Sequence, residues 1–210
     1  MIQFIHPTSA RNIAVIFDST MSMLPHFNSV CKSAFYYLRN ISRIRKFQSS
    51  KTTEILVHAF VSSKLDYCNS LLYNVPKYVL QKLQSVQNAS ASLITCSRKY
   101  DHATPVLFNL HWLPVNECIK FKILLLTCKA LHQQAPTYIQ DLVTRYSLPR
   151  TLRSSSSLRT NPVIFNTKSS EYRAFTIAAP DLWNSLPDNI RSCDDLSTFK
   201  SLRKTYLKSI

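Results

Sequence analysis

The sequence predicts a mostly α-helical protein with a short N-terminal strand and a small irregular β element near residues 158–175. Three observations carry that expectation. Apolar residues recur every three or four positions over several long stretches, and proline stands at or near the start of many of them. One short run, residues 13–17 (IAVIF), is instead rich in β-branched residues, and the turn-forming Asp18, Ser19 and Thr20 follow it.

The elements follow in order. Residues 1–12 show no period and are expected to be disordered. Residues 28–47 form a helix with Val30, Ala34, Leu38, Ile41 and Ile44 on one side and Lys32, Arg39, Arg43 and Lys46 opposite. Residues 54–72 form a second helix, apolar at Ile55, Leu56, Phe60, Leu65 and Leu72, with a break near Leu65 and Asp66. Pro76 opens a third, with Val79, Leu80, Leu83, Val86, Ser90, Leu93 and Ile94 in register. Its other face carries Gln81, Gln84 and Asn88, with Lys77 and Lys82 near its start. Thr104 and Pro105 start a short helix ending near Leu110. Pro114 starts a long one to about His132, whose Ile119, Ile123, Leu126 and Ala130 stripe is the expected core. Pro136 begins another short helix. Residues 145–170 hold five basic residues, a serine cluster and no acid, which reads as a basic linker around a strand at 163–165. A helix from Pro180 through Trp183, a turn at Pro187, and a final helix on Leu196, Phe199, Leu202 and Tyr206 complete the chain. The expected segments are 1–12, 13–97, 98–144, 145–170 and 171–210.

The 210 residues carry 26 Lys and Arg against 11 Asp and Glu, a formal charge of +15. An excess this large opposes compaction unless a polyanion neutralises it, so nucleic acid is the expected partner, with neither a membrane nor a small-molecule substrate. No acid occurs between Asp18 and Glu54, so the basic side of the 28–47 helix is of one sign and suits a phosphate backbone. Arg45, Lys77 and Lys82 join Lys32, Arg39, Arg43 and Lys46 as expected contacts. There is no signal-like N-terminus, and the longest aliphatic run, residues 123–126, is too short to span a bilayer. The chain is therefore expected to be nuclear or cytoplasmic, neither secreted nor transmembrane. The six cysteines lack a CxxC pair and fit reduced thiols.

Glycine is absent, where a chain of this length would ordinarily hold about fifteen. A glycine phosphate loop is excluded. Tight turns and helix ends must use other residues, of which Asn74 and Asn109 are candidates.

Other chemistries find little support. Cys128 and His132 lie four apart, with Cys118 upstream, but a structural zinc site needs four ligands. Asp101, His102 and Thr104 suggest a proton relay, yet no nucleophile elbow surrounds them. Asp194 and Asp195, the one adjacent acidic pair, fit a helix N-terminus better than a two-metal site. Trp112 and Trp183 read as core plugs before base-stacking platforms. No catalytic, cofactor-binding or metal residue is assigned.

The order of the words carries further. IAVIFDSTMS, VCKSAFYYLRNISRIRK, HAFVSSKLDYCNSLLYNVP, LQSVQNASASLIT, YDHATPVLFNLHWLPV, FKILLLTCKAL, APTYIQDL, LRSSSSL, RAFTIAAPDLWNSLP and STFKSLRKTYL follow one another over residues 13–207. In this order they resemble the C-terminal part of the reverse transcriptase of LINE-type non-LTR retrotransposons, of the jockey and chicken-repeat kind. The resemblance implies that residues 13–18 are a palm-edge strand, that residues 28–97 are a helical thumb-like bundle gripping template and primer, and that residues 98–210 are the post-polymerase region. The family's YxDD loop has no counterpart here. Its magnesium-dependent RNA-directed DNA polymerase activity is thus not expected of this chain alone, and no cofactor is expected in it. Ala14, Asn74 and Glu171 stand where the family usually has glycine, and Gln133 and Gln134 fall in a similar turn. The expectation is a truncated, inactive fragment that keeps non-specific nucleic-acid binding. The alternatives are a non-functional pseudogene fragment or a polymerase whose gene model is cut short.

Overall fold

The computed structural model describes residues 9–97, 101–145, 159–161, 174–193 and 195–209. It is mostly helical with a two-stranded antiparallel sheet. The chain forms two units, Met1–Val115 and Asn116–Ile210. Residues 98–144, read as one segment from the sequence, are thereby divided between them.

The first unit opens with a hairpin. Strand β1 (Ser9–Asn12) pairs with β2 (Val15–Asp18), from Asn12 opposite Val15 to Ser9 opposite Asp18. Residues 9–12, expected to be disordered, are therefore a strand, and Ile13 and Ala14, expected to begin one, are its turn. Their φ values of 43° and 66° explain the difference, because the I′ type of two-residue hairpin turns on two left-handed central residues, which match the strand twist. The Tyr67 hydroxyl donates to the Ile13 carbonyl at 2.7 Å and ties the turn down.

Asp18 organises the next turn. Its carboxylate accepts from the Ser22 and Met23 amides at 2.9 and 2.8 Å, from the Ser22 hydroxyl at 2.7 Å and from the Thr20 hydroxyl. Desolvation pulls its pKa upward, but these donors outweigh it and hold the carboxyl well below the usual range. Helix α1 (Leu24–Ile44) begins there. Its own N-cap, Met23, offers no side-chain bond, so Asp18 supplies the acceptor from a distance.

Helix α1 ends in a 3-10 turn, Arg45–Phe47. Helix α2 (Ser50–Val57) is capped by Ser49, whose hydroxyl accepts from the Thr52 amide. A π-helical turn, His58–Ser62, leads into α3 (Ser63–Asp66). Cys68 then turns left-handed, and a 3-10 turn at Asn69–Leu72 leads to α4 (Lys77–Thr95), which Pro76 precedes. Helix α5 (Ala103–Asn109) follows.

The core joins Ala34, Leu38 and Ile41 of α1 to Val57 and Val61 and to Val86 and Ile94 of α4. Three residues expected inside lie outside: Ile44, Ile55 and Phe60 are exposed, Ile55 by 60%. The buried row instead runs Thr53, Val57, Val61, with Leu65 partly buried. A spacing of four drifts about 40° per step around an α-helix, and the wider π turn brings the row back into line. A wheel drawn at α period misses that correction.

In the second unit, α6 (Val115–Leu131) buries Ile119, Ile123 and Ala130 of its expected stripe. Helix α7 (Thr137–Gln140) follows Pro136. An isolated bridge joins Arg145 and Thr160, and Asn184 clamps Thr160 through its amide and carbonyl at 3.1 and 3.0 Å. That bridge is the described part of the β element expected near 158–175. The strand at 163–165 and Glu171 lie outside the described residues.

Helix α8 (Phe175–Asn184) starts five residues before Pro180, which was expected to open it. A proline there removes one helical bond. The burial of Ala178, Ala179, Pro180, Leu182 and Trp183 offsets that loss. Trp183 stacks on Phe199 at 5.7 Å, a core plug. Pro187 precedes α9 (Asp188–Arg191), and Asp195 caps α10 (Leu196–Ser209) by accepting from the Thr198 amide at 2.9 Å. Leu202, expected inward, is exposed. The side chain of Tyr206 lies outside the described residues.

Candidate nucleic-acid interface

The basic residues expected to meet phosphate separate into three groups. Lys32, Arg39 and Arg43 form the first, exposed along the outer face of α1. Their spacing of seven and four places them within an arc of about 40° and over about 16 Å of helix. None of the three has an ion-pair partner among the described residues. Lys46 extends the line into the 3-10 turn, exposed, with its ammonium 4.9 Å from the Phe47 ring centre.

Arg45 is the second group by itself, and it corrects the sequence reading. Its Nε donates to the Leu93 carbonyl at 3.1 Å, its Nη2 to Ile94 at 3.2 Å and its Nη1 to Gln48 at 3.0 Å. Ser50 adds a bond to the Ile94 carbonyl at 3.1 Å. The Leu93 and Ile94 carbonyls belong to the last turn of α4, which has no following turn to bond them. Arg45 is a helix cap, engaged with backbone and withdrawn from any phosphate. Its place one residue past the α1 stripe gave no warning of that.

Lys77 and Lys82 are the third group, both exposed on α4. Lys82 lies near Cys31 of α1. Burial pushes the Cys31 thiol up, and the Lys82 charge partly offsets this. Lys82 therefore flanks the α1 side of the bundle. No described contact brings Lys77 to it.

Sequence reasoning missed the aromatic residues among these cations. Tyr36 falls between Lys32 and Arg39 on the same stripe and is 62% exposed. Its ring meets Tyr37 edge-on at 5.5 Å, and Tyr37 stacks on Phe60 at 5.2 Å and 18°. The Lys64 ammonium stands 5.3 Å from the Tyr37 ring centre. The run FYY between basic residues was the available signal.

The HWLPV word has a structural role. Gln87 donates to the Leu113 carbonyl at 2.8 Å, and Gln84 accepts from the Val115 amide at 2.9 Å. Gln84 also bonds Gln87 and Asn88, so part of the amide-rich side of α4 grips the segment after α5. Trp112 packs edge-on against His58 at 5.3 Å and against the core.

The glycine-free turns have a common solution. Among the described residues Ile13, Ala14, Met21, Met23, Cys68, Asn74, Cys96, His111 and Gln133 have φ between 43° and 66°. Three of them close helices. The amides of Ser97, Trp112 and Gln134 reach back five residues to Ser92, Leu107 and Lys129, the bond of a Schellman ending. Asn74 is left-handed as expected. Asn109 is not, because it is the last residue of α5, Leu110 stays right-handed as the C-cap, and His111 makes the turn.

Metal and catalytic readings gain nothing. The Cys128 sulfur lies 3.6 Å from His132 Nδ1, which also lies 2.8 Å from the Cys128 carbonyl, as a helix-end contact would. Burial, then the nearby Cys193, raise the Cys128 thiol to about 11. Among the described residues no three His, Cys, Asp or Glu side chains are grouped to hold a metal ion. His102, Thr104, Pro105, Phe108 and Asn109 line an open depression beside α5. No described helix is long and apolar enough to cross a membrane. Comparison with protein-family models, with curated proteins and with solved structures gives no match.

Proposed function

We propose that this chain binds the phosphate backbone of nucleic acid without sequence preference through the outer face of α1, as the thumb-like and downstream part of a LINE-type reverse transcriptase. The observation that carries the reading is the exposed one-sign stripe of Lys32, Arg39, Arg43 and Lys46, backed by a buried apolar face. Such a stripe gains affinity by releasing condensed counterions, and it reads no base edges. Lys82 is an auxiliary contact. Arg45 is not among the contacts, and no catalytic step is assigned to any residue here.

The origin rests on the order of the sequence words. The backbone supplies a second support, because Ala14, Asn74 and Gln133 are left-handed at the places where the resembled family has glycine or a glycine-containing turn. The same conformations, held by residues with a Cβ, favour one other reading: a decayed copy that folds only in part. Each such residue costs on the order of 1 kcal/mol. A single cooperative thermal transition excludes that reading, and a broad one with rapid amide exchange supports it.

Binding itself is tested by fluorescence anisotropy with an RNA–DNA duplex across a salt series. The expected log–log slope is negative and becomes less steep by about 3.6 when Lys32, Arg39, Arg43 and Lys46 all become Ala. A slope near zero, or one unchanged in that variant, overturns the proposal.

A further inference from the structure

The cationic stripe on α1 has an aromatic residue in its middle, and a duplex backbone has no use for it. Tyr36 lies on the line of Lys32, Arg39 and Arg43 and leaves 62% of its surface in water. Its ring is oriented by the edge contact with Tyr37, which Phe60 holds from the other side with rings 18° from parallel. Phe35, its neighbour in the chain, and Phe60, at the end of this ring ladder, are each 43% exposed. An exposed apolar surface of this kind is unfavourable unless something covers it. The charge around it selects the occupant: a polyanion that also offers flat, uncovered rings. In a duplex the base faces are stacked on one another, and only base edges, sugars and phosphates are accessible. A single strand presents both phosphates and free base faces.

We infer that Tyr36, supported by Tyr37 and Phe60, stacks an unpaired base of a single-stranded nucleic acid whose phosphates lie along Lys32, Arg39 and Arg43. This rests on the backbone-binding reading above and adds the strandedness of the ligand to it. Phosphates set the salt dependence, and the ring supplies a contact that salt does not screen. Any base can serve, because every base has a π-face, so no sequence preference accompanies the stacking. Lys64, over the Tyr37 ring, adds a cation at the far end of the ladder.

The test compares two fluorescein-labelled strands of equal charge, a dT12 oligonucleotide and a twelve-residue abasic strand, on the full chain by anisotropy across a salt series. The dT12 strand is expected to bind between about 5- and 150-fold more tightly than the abasic one, the range that stacking of one base supplies. Tyr36→Ala removes that difference while leaving the salt slope unchanged, and Tyr36→Phe keeps it. The side chain is largely in solvent, so a circular-dichroism melt of Tyr36→Ala should match the parent. Equal binding of the two strands with a steep slope overturns the stacking inference and leaves backbone binding intact. Loss of salt dependence with both strands overturns the backbone reading as well. Self-association that Tyr36→Ala abolishes, with no preference for dT12, assigns the patch to a second copy and also overturns the inference.

Discussion

The outer face of α1 and the segment from Leu107 to Val115 present opposite uses of polar groups in one unit. In the second, nearly every feature that makes the words distinctive is engaged internally. Gln84 and Gln87 reach across to the backbone around Leu113 and Val115, His111 turns left-handed to end α5, and Trp112 packs against His58. On α1 the cations face water, and their one-sign pattern is no help to folding. A distinctive word can thus encode packing, while a plain basic helix carries the candidate site. The two should respond to mutation in opposite ways.

The largest effect should come from breaking the internal grip. Gln84→Ala with Gln87→Ala removes the donor to the Leu113 carbonyl and the acceptor of the Val115 amide, a loss of about 2–4 kcal/mol in urea unfolding. Nucleic-acid affinity measured well below the melting temperature should not change. Asp18→Ala should cost about 1–3 kcal/mol, since it removes the acceptor that substitutes for a cap at the start of α1. The pH sign follows from its lowered pKa: the stabilisation is complete above the unfolded carboxyl value near 4 and disappears as pH falls through the lower folded value. In Asp18→Ala, unfolding midpoints should lose part of their steepness below pH 4. His26 adds a smaller term of the same sign. Burial lowers its pKa, so the fold loses stability as pH falls below about 6.5 and the unfolded state takes up the proton first. The smallest effect should be a gain. Gln133→Gly relieves the left-handed backbone at the end of α6 and should stabilise by about 0.5–1 kcal/mol, after the added freedom of the unfolded chain is counted. Denaturant midpoints resolve a change of that size.

How much of this could be read from the sequence depended on whether the signal was local. Proline-led helix starts at Pro76 and Pro136 needed only a residue and its neighbours, and they match the structure. Ile55 and Phe60 were misplaced because the π turn changes the helical period within a single element. Pro180 was misplaced because burial of the surrounding Ala, Leu and Trp residues outweighs a lost hydrogen bond. For the candidate site, the exposed line of Lys32, Arg39 and Arg43 followed from the 100° wheel. Arg45 could not be separated from it, since its acceptors are carbonyls nearly fifty residues away. Tyr36 was visible in the sequence but indistinguishable from a core aromatic until its exposure was known. The left-handed turn at His111 likewise depended on where α5 stops, which the neighbouring Asn109 concealed.

Arg43 and Arg45 provide the most direct comparison, two residues apart with opposite assignments. The decisive measurement is the salt dependence of duplex binding and the urea stability of Arg43→Ala and Arg45→Ala side by side. Arg43→Ala should make the salt slope less steep by nearly one and leave stability within about 0.5 kcal/mol. Arg45→Ala should keep the slope and lose about 1–3 kcal/mol, because the last carbonyls of α4 lose their donors. Equal slopes in the parent and Arg43→Ala, or a slope lost in Arg45→Ala with stability kept, would contradict the assignment of the binding face.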